Sequence, residues 1–128
     1  MIMGEVVLDI ETKDTFQDVG SREPAKLSMS IAVVYLYEDN TFRVFEEKDL
    51  PQLWPILEHA SRIIGYNHRH FDMPVLNRYY RGDCMKFPLL DMMEEAQKVL
   101  GYRPSLNDIA KATLNIEKSG HGLDAIRY

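Results

Sequence analysis

Glu5-Val6-Val7-Leu8-Asp9-Ile10 is a short apolar run with β-branched residues, and it leads straight into Glu11-Thr12. Such a run reads as a buried strand. Side chains two apart on a strand share a face, so Asp9 and Glu11 aim two carboxylates one way while Ile10 enters the core. Two like charges at the end of an apolar strand repel and are costly to desolvate. A divalent cation with oxygen ligands resolves that cost. The plainer reading is that the strand has ended and both acids are solvated. The pair alone does not choose between the two.

Working outward, residues 13–26 are polar, contain Gly20 and Pro24, and read as a long loop, a length that often marks function. Leu27 to Tyr37 is the strongest strand pattern in the chain. Glu38-Asp39-Asn40 signals a turn, and Thr41 to Glu46 alternates with period two, which predicts a hairpin. Asp49 is placed to cap a helix in which Leu50, Leu53, Trp54 and Leu57 share a face. Pro55 lies deep enough to kink or delay that helix. Arg62 to Tyr66 reads as a further buried strand, and residues 67–70 as a polar loop. A helix is predicted from Asp72 to about Tyr80, with Pro74 near its start. A last short strand is predicted over Lys86 to Leu90. Asp91 with Glu94 opens a helix that Gly101 stops, and Ser105 with Asp108 opens another to about Leu114. Asn115 to Tyr128 shows no strong periodicity. The order β-β-β-α-β-α-β-α-α implies an α/β fold, a mixed sheet with helices against it.

The chain has 128 residues, 45% of them apolar and 27% charged, the profile of one ordinary globular domain spanning 1–128. No apolar run approaches the roughly 20 residues that cross a bilayer, so no membrane association is expected. The N-terminus lacks a basic stretch followed by an apolar one, so no secretory signal is expected. Cys84 is the one cysteine, which excludes an internal disulfide and a cysteine zinc cluster and fits a reducing cytoplasm. The net charge of −5 argues against holding nucleic acid by charge alone. It does not argue against a nuclease, because carboxylates that hold metal add formal negative charge that the ion then reverses.

Other residues carry weaker signals. Asp72 follows a strand and a short loop, but an Asp shortly before Pro74 is also a plain helix cap. Asn67 reads equally as a loop residue that bonds its own backbone. Asp91 fits a capping box. His68, His70 and His121 are candidate bases or ligands, although lone loop histidines are mostly solvated, and His59 reads as structural. Lys111 and Arg103 are candidate phosphate contacts that read more simply as surface.

Val7-Leu8-Asp9-Ile10-Glu11-Thr12 resembles the first motif of the DEDD 3′–5′ exonuclease superfamily, an apolar strand ending in D-x-E-T. Gly65-Tyr66-Asn67-His68-Arg69-His70-Phe71-Asp72 resembles the second, N-x-x-x-F-D. Their order and the hairpin and helix between them also match. Either motif alone is weak; together they are fairly specific. The resemblance covers nearly the whole chain and extends to bacterial and archaeal exonuclease domains, some found beside helicase domains. It implies an RNase H-like fold with a five-stranded sheet, an antiparallel hairpin joined to parallel strands. It also implies a phosphodiesterase using two Mg²⁺ or Mn²⁺ ions about 4 Å apart that clamp the attacking and leaving oxygens. Asp9 would bind both ions, Glu11 one, and Asp72 one. The main chain near Thr12 would lie close to the terminal nucleotide. Asn67 would order its loop or approach the substrate, and Phe71 would pack inward to hold Asp72. The implied substrates are single-stranded DNA or RNA ends.

The superfamily's third motif, Y-x-x-x-D or H-x-x-x-x-D, is not found. None of the later acids Glu94, Glu95, Asp108, Glu117 and Asp124 has a Tyr or a His at the required spacing. Three expectations follow: a domain truncated at its C-terminus, a site completed by a partner or a second copy, or a degenerate domain that does no chemistry. A lost helix would uncover apolar sheet surface, which favours a homodimer. The expected activity of this chain alone is weak or nil. The rival reading is a non-catalytic interaction or nucleic-acid-binding module, and a weaker third is a small metal-binding protein of unrelated function.

Overall fold

β1 (Glu5–Thr12) lies at the centre of a five-stranded sheet of order β3-β2-β1-β4-β5. The structure is a computed structural model and describes residues 4–114; the reading of residues 115–128, with His121 and Asp124, lies outside them. On β1, Val6, Leu8 and Ile10 are buried, while Glu5, Val7, Asp9 and Glu11 occupy the other face. β2 (Met29–Leu36) runs antiparallel to β1, with Val33 opposite Asp9 and Ile31 opposite Glu11. β3 (Thr41–Glu46) completes the expected hairpin. Asn40 takes a left-handed φ of 56° in its turn, a conformation that Asn tolerates. β4 (Arg62–Gly65) and β5 (Leu89–Asp91) run parallel to β1. The mixed sheet of antiparallel hairpin and parallel strands, flanked by helices, is the architecture the sequence predicts.

α2 (Leu50–His59) crosses from β3 to β4 and buries Leu50, Leu53, Ile56 and Leu57 in the core. It continues unbroken through Pro55, against expectation. Pro51 and Pro55 both lie on the exposed side of the helix, where the hydrogen bond that Pro55 cannot donate is lost at least cost. Trp54, expected on the core stripe, is only half-buried. Asp49 does not cap α2. Its Oδ2 accepts from the Glu46 amide instead (3.1 Å), closing a 3₁₀ turn ahead of the helix.

The segment 13–26 is more ordered than a plain loop. Thr15 and Asp18 form a reciprocal capping box that opens α1 (Phe16–Val19), and Gly20 ends it at a φ of 66°. α3 (Asp72–Leu76) is shorter than predicted, because Arg78 and Tyr79 already bond three residues back. It brings Met73, Val75 and Leu76 into the core. α4 (Met92–Leu100) ends at Gly101 with a φ of 82°, and α5 (Leu106–Leu114) begins where Ser105 Oγ accepts from the Asp108 amide. Among the described residues no helix is long and apolar enough to cross a membrane.

Candidate functional site

The parallel strands β1, β4 and β5 end on the same side of the sheet. The β1–β4 ladder stops at Val7 and Ile64, so residues 9–12 of β1 run on past the end of β4. The Ile10 amide then lacks a strand partner on that side. Asp72 Oδ2 accepts from it at 3.2 Å, across 62 residues of sequence. The carboxyl of Asp72 is therefore fixed to the main chain between Asp9 and Glu11. It does not act as the plain helix cap that its position before Pro74 suggests.

Asp72 is 5% exposed. Burial pushes its carboxyl well above the usual carboxylate range, and the charges of Asp9 and Glu11 push it further, against the Ile10 amide. The strand pattern accounts for the pair on β1, and the fold adds the third acid. Three hard oxygen donors, two of whose charges disfavour the ionisation of the third, have the chemistry of divalent-cation ligands. Among the described residues no group of three or more His, Cys, Asp or Glu side chains is arranged so that it could hold a metal ion.

The loop that delivers Asp72 is held from beneath by Asp91. Asp91 Oδ1 accepts from the amides of Asn67 (2.7 Å) and Met93 (3.0 Å), and Oδ2 from the amide of Arg69 (3.3 Å). Burial pushes the Asp91 carboxyl up, yet these amides and nearby His68 hold it below the usual range. Asp91 does cap α4 as expected. Glu94 does not complete the box, but pairs with Arg69 (3.0 Å) and His70 (3.3 Å).

Asn67 sits in the left-handed region at a φ of 59°, and its Oδ1 accepts from Arg103 at 2.6 Å. His68 is not a solvated loop residue: it is fully buried, and its Nε2 donates to the Ile63 carbonyl at 2.9 Å. The ring packs so closely on Gly65 that a Cβ there would stand 2.4 Å from its Cδ2. Phe71 is half-buried against the core and meets Phe16 edge-on at 6.2 Å. Thr12 Oγ1 donates to the Asp14 carbonyl at 3.0 Å. His70 is half-exposed, Lys111 stands exposed on α5, and the His59 ring bonds the Pro55 carbonyl.

A second fastening has no local signal in the sequence. Glu47 pairs with Lys13 and accepts from the Tyr79 hydroxyl at 2.7 Å, and that hydroxyl accepts from the Met29 amide at 3.1 Å. It ties the end of β1 to the start of β2 and to the chain just after α3. Only contacts between distant segments create it, so no spacing rule could have found it.

The family model RNase_H_2, of the RNase_H superfamily, matches residues 6–128. No curated protein matches the sequence. Among solved structures, Brucella melitensis NrnC bound to pGG aligns over 98% of this chain and 59% of its own, with a TM-score of 0.67 and 19% identity. NrnC with bound Mg²⁺ aligns over 94% and 58%, with a TM-score of 0.66 and 20% identity. A structure described as the apo form of the nuclease aligns over 91% and 54%, with a TM-score of 0.65 and 21% identity. At these identities the likeness establishes the fold. The chain spans less than three-fifths of the length of each of these proteins.

Proposed function

This chain belongs to the RNase_H superfamily, and from that premise we propose that it is a metal-dependent nuclease domain of the DEDD 3′–5′ exonuclease type. It acts on phosphodiester bonds at single-stranded DNA or RNA ends. One observation carries the reading: the buried carboxyl of Asp72 is bonded to the main chain between Asp9 and Glu11 and feels both of their charges. In this reading Asp9, Glu11 and Asp72 hold Mg²⁺ or Mn²⁺. When bound, the ions supply Lewis-acid stabilisation of the attacking and leaving oxygens of the scissile phosphate. The three carboxylates would place that charge at the end of the central strand. The loop 67–71, clamped by Asp91, keeps Asp72 in position, and Phe71 braces it from the core side. The main chain at Thr12 and the Asn67 side chain border the terminal nucleotide. NrnC structures that contain Mg²⁺ and pGG support a nucleic-acid end as ligand.

The absence of a formed metal cage among the described residues favours a second reading, a nucleic-acid-binding module with a degenerate site. One experiment separates the two. A single-stranded oligonucleotide labelled at its 5′ end is incubated with the chain across a Mn²⁺ titration. The nuclease reading expects a ladder shortening from the 3′ end that disappears with Asp9→Ala. Binding without shortening at any Mn²⁺ concentration, unchanged by Asp9→Ala, overturns it in favour of the module.

A further inference from the structure

Asn67 and Arg103 form a pair of hydrogen-bond donors on the loop that carries Asp72. Arg103 Nη2 donates to Asn67 Oδ1 at 2.6 Å. A guanidinium has no acceptor, so the atom facing it must be the amide oxygen, and this fixes which way the Asn67 amide points. The bonds of Asn67 among the described residues use its main-chain amide, its carbonyl and Oδ1, which leaves the Nδ2 hydrogens to be offered outward. Both halves of the pair are anchored. Asp91 accepts from the Asn67 amide, and the carbonyl of buried Pro104 accepts from the Tyr66 hydroxyl. Residues 66–67 and 103–104 are thus tied at consecutive positions. Arg103 is also un-neutralised. Arg43, Arg62 and Arg69 each face a carboxylate, of Asp39, Glu5 and Glu94, but Arg103 belongs to none of the ion pairs among the described residues. The acids around it are engaged elsewhere: Asp91 with three amides, Glu94 with Arg69 and His70.

We propose that Asn67 and Arg103 together bind a backbone phosphate of the nucleic-acid strand, next to the phosphate that is cleaved. Donors with no free acceptor beside them select an anion, and the guanidinium fork matches the spacing of phosphate oxygens. Asn67 follows β4, the neighbour of β1 at roughly 4.8 Å. The pair therefore stands beside Asp9, Glu11 and Asp72 rather than among them. A strand whose scissile phosphate lies at the three acids can present its neighbouring phosphate here. On a chain of net charge −5, an exposed cation at this point supplies an attraction that the acids do not. The identity of the anion as a nucleic-acid phosphate rests on the nuclease reading, and the assignment deepens that reading by naming what grips the strand.

The test is binding of a short labelled oligo-dT to the full chain, read by fluorescence anisotropy in EDTA, where metal-dependent cleavage is off, across a salt series. Arg103→Gln should weaken binding about tenfold. It should also lower the slope of log affinity against log salt by about 0.7, the counterion share of one single-strand phosphate contact. Arg103→Lys keeps the charge and should keep the slope. An oligonucleotide with one uncharged methylphosphonate beside the 3′-terminal linkage should bind wild type and Arg103→Gln alike. If Arg103 served only to pin Asn67, Arg103→Gln would lower affinity without moving the slope, and that result overturns the proposal. So does unaltered binding in Arg103→Gln, no wild-type binding at the lowest salt, or a phosphoserine peptide that binds as tightly as the oligonucleotide. Mn²⁺-dependent shortening with an unmoved slope leaves the nuclease reading standing and sinks this one. A moved slope without shortening at any Mn²⁺ concentration does the reverse.

Discussion

Asp72 and Asp91 are both buried aspartates, 5% and 2% exposed, at the same end of neighbouring parts of the sheet. Their surroundings are opposite. Asp91 collects three backbone amides and is held below the usual carboxylate range. Asp72 has the Ile10 amide and its own beside two acidic neighbours, and burial and those neighbours push it well above that range. Burial is therefore not what sets the two apart. What does is whether the fold itself satisfies the charged form. Asp91 is satisfied and holds the loop, whereas at Asp72 the surroundings disfavour the charge, which in the proposed reading a metal ion would restore.

The strongest way to break this contrast is Asp91→Ala. It strands three amides, and a buried donor left without its partner costs about 1–3 kcal/mol. Urea unfolding should show that loss. A midpoint unchanged from wild type would mean that Asp91 does not clamp the loop. A smaller effect of opposite sign is expected for Asp72→Asn. Asparagine can still accept from the Ile10 amide but carries no charge, so the metal-free fold should gain about 1.4 kcal/mol for each pH unit by which the native acid's titration is displaced. Thermal melts in EDTA measure the gain. In the nuclease reading excess Mn²⁺ should reverse the ranking, because wild type keeps all three acids that would hold the ion and the variant only two.

The smallest expected difference is in pH dependence, and its sign differs at the two sites. The Asp91 carboxyl is depressed in the folded chain. Its contribution is present above the ordinary carboxylate range and is lost as pH falls through the lower folded value. Asp91→Asn should therefore flatten the acid limb of the stability curve below about pH 4. The Asp72 carboxyl is raised in the folded chain. It imposes no penalty below the ordinary range, and the penalty grows as pH rises through the raised value. Asp72→Asn should remove that growth. Parallel melts of both variants across this range decide it: equal slopes would erase the distinction between the two residues.

The elements that were legible in the sequence are the ones written in local spacing. Alternation along residues 5–12 exposes Asp9 and Glu11 together, and the turn at 38–40 sets the hairpin. The capping residues at 91, 101 and 105 bound the last two helices. What spacing could not supply were contacts between distant segments. Asp72 meets the Ile10 amide across 62 residues, and the Asp91 carboxylate reaches the Asn67 amide across 24. His68 looked solvated because its neighbours are polar, yet the absent side chain of Gly65 leaves room for its ring. Even α1 was written locally, as Thr15 and Asp18, but was masked by the Gly and Pro around it. Trp54 fitted the helical stripe and still turned out of the core, since a stripe position does not say which of two faces a side chain covers.

The grip of Asp91 falls on peptide groups, and peptide groups are the same whatever residue carries them. Position 93 can therefore change its side chain while the loop keeps its course, and at position 69 a change gives up the pair with Glu94 but not the amide bond. A scaffold built this way separates aim from taste: side chains along the loop can diversify while the acid at position 72 keeps its bearing.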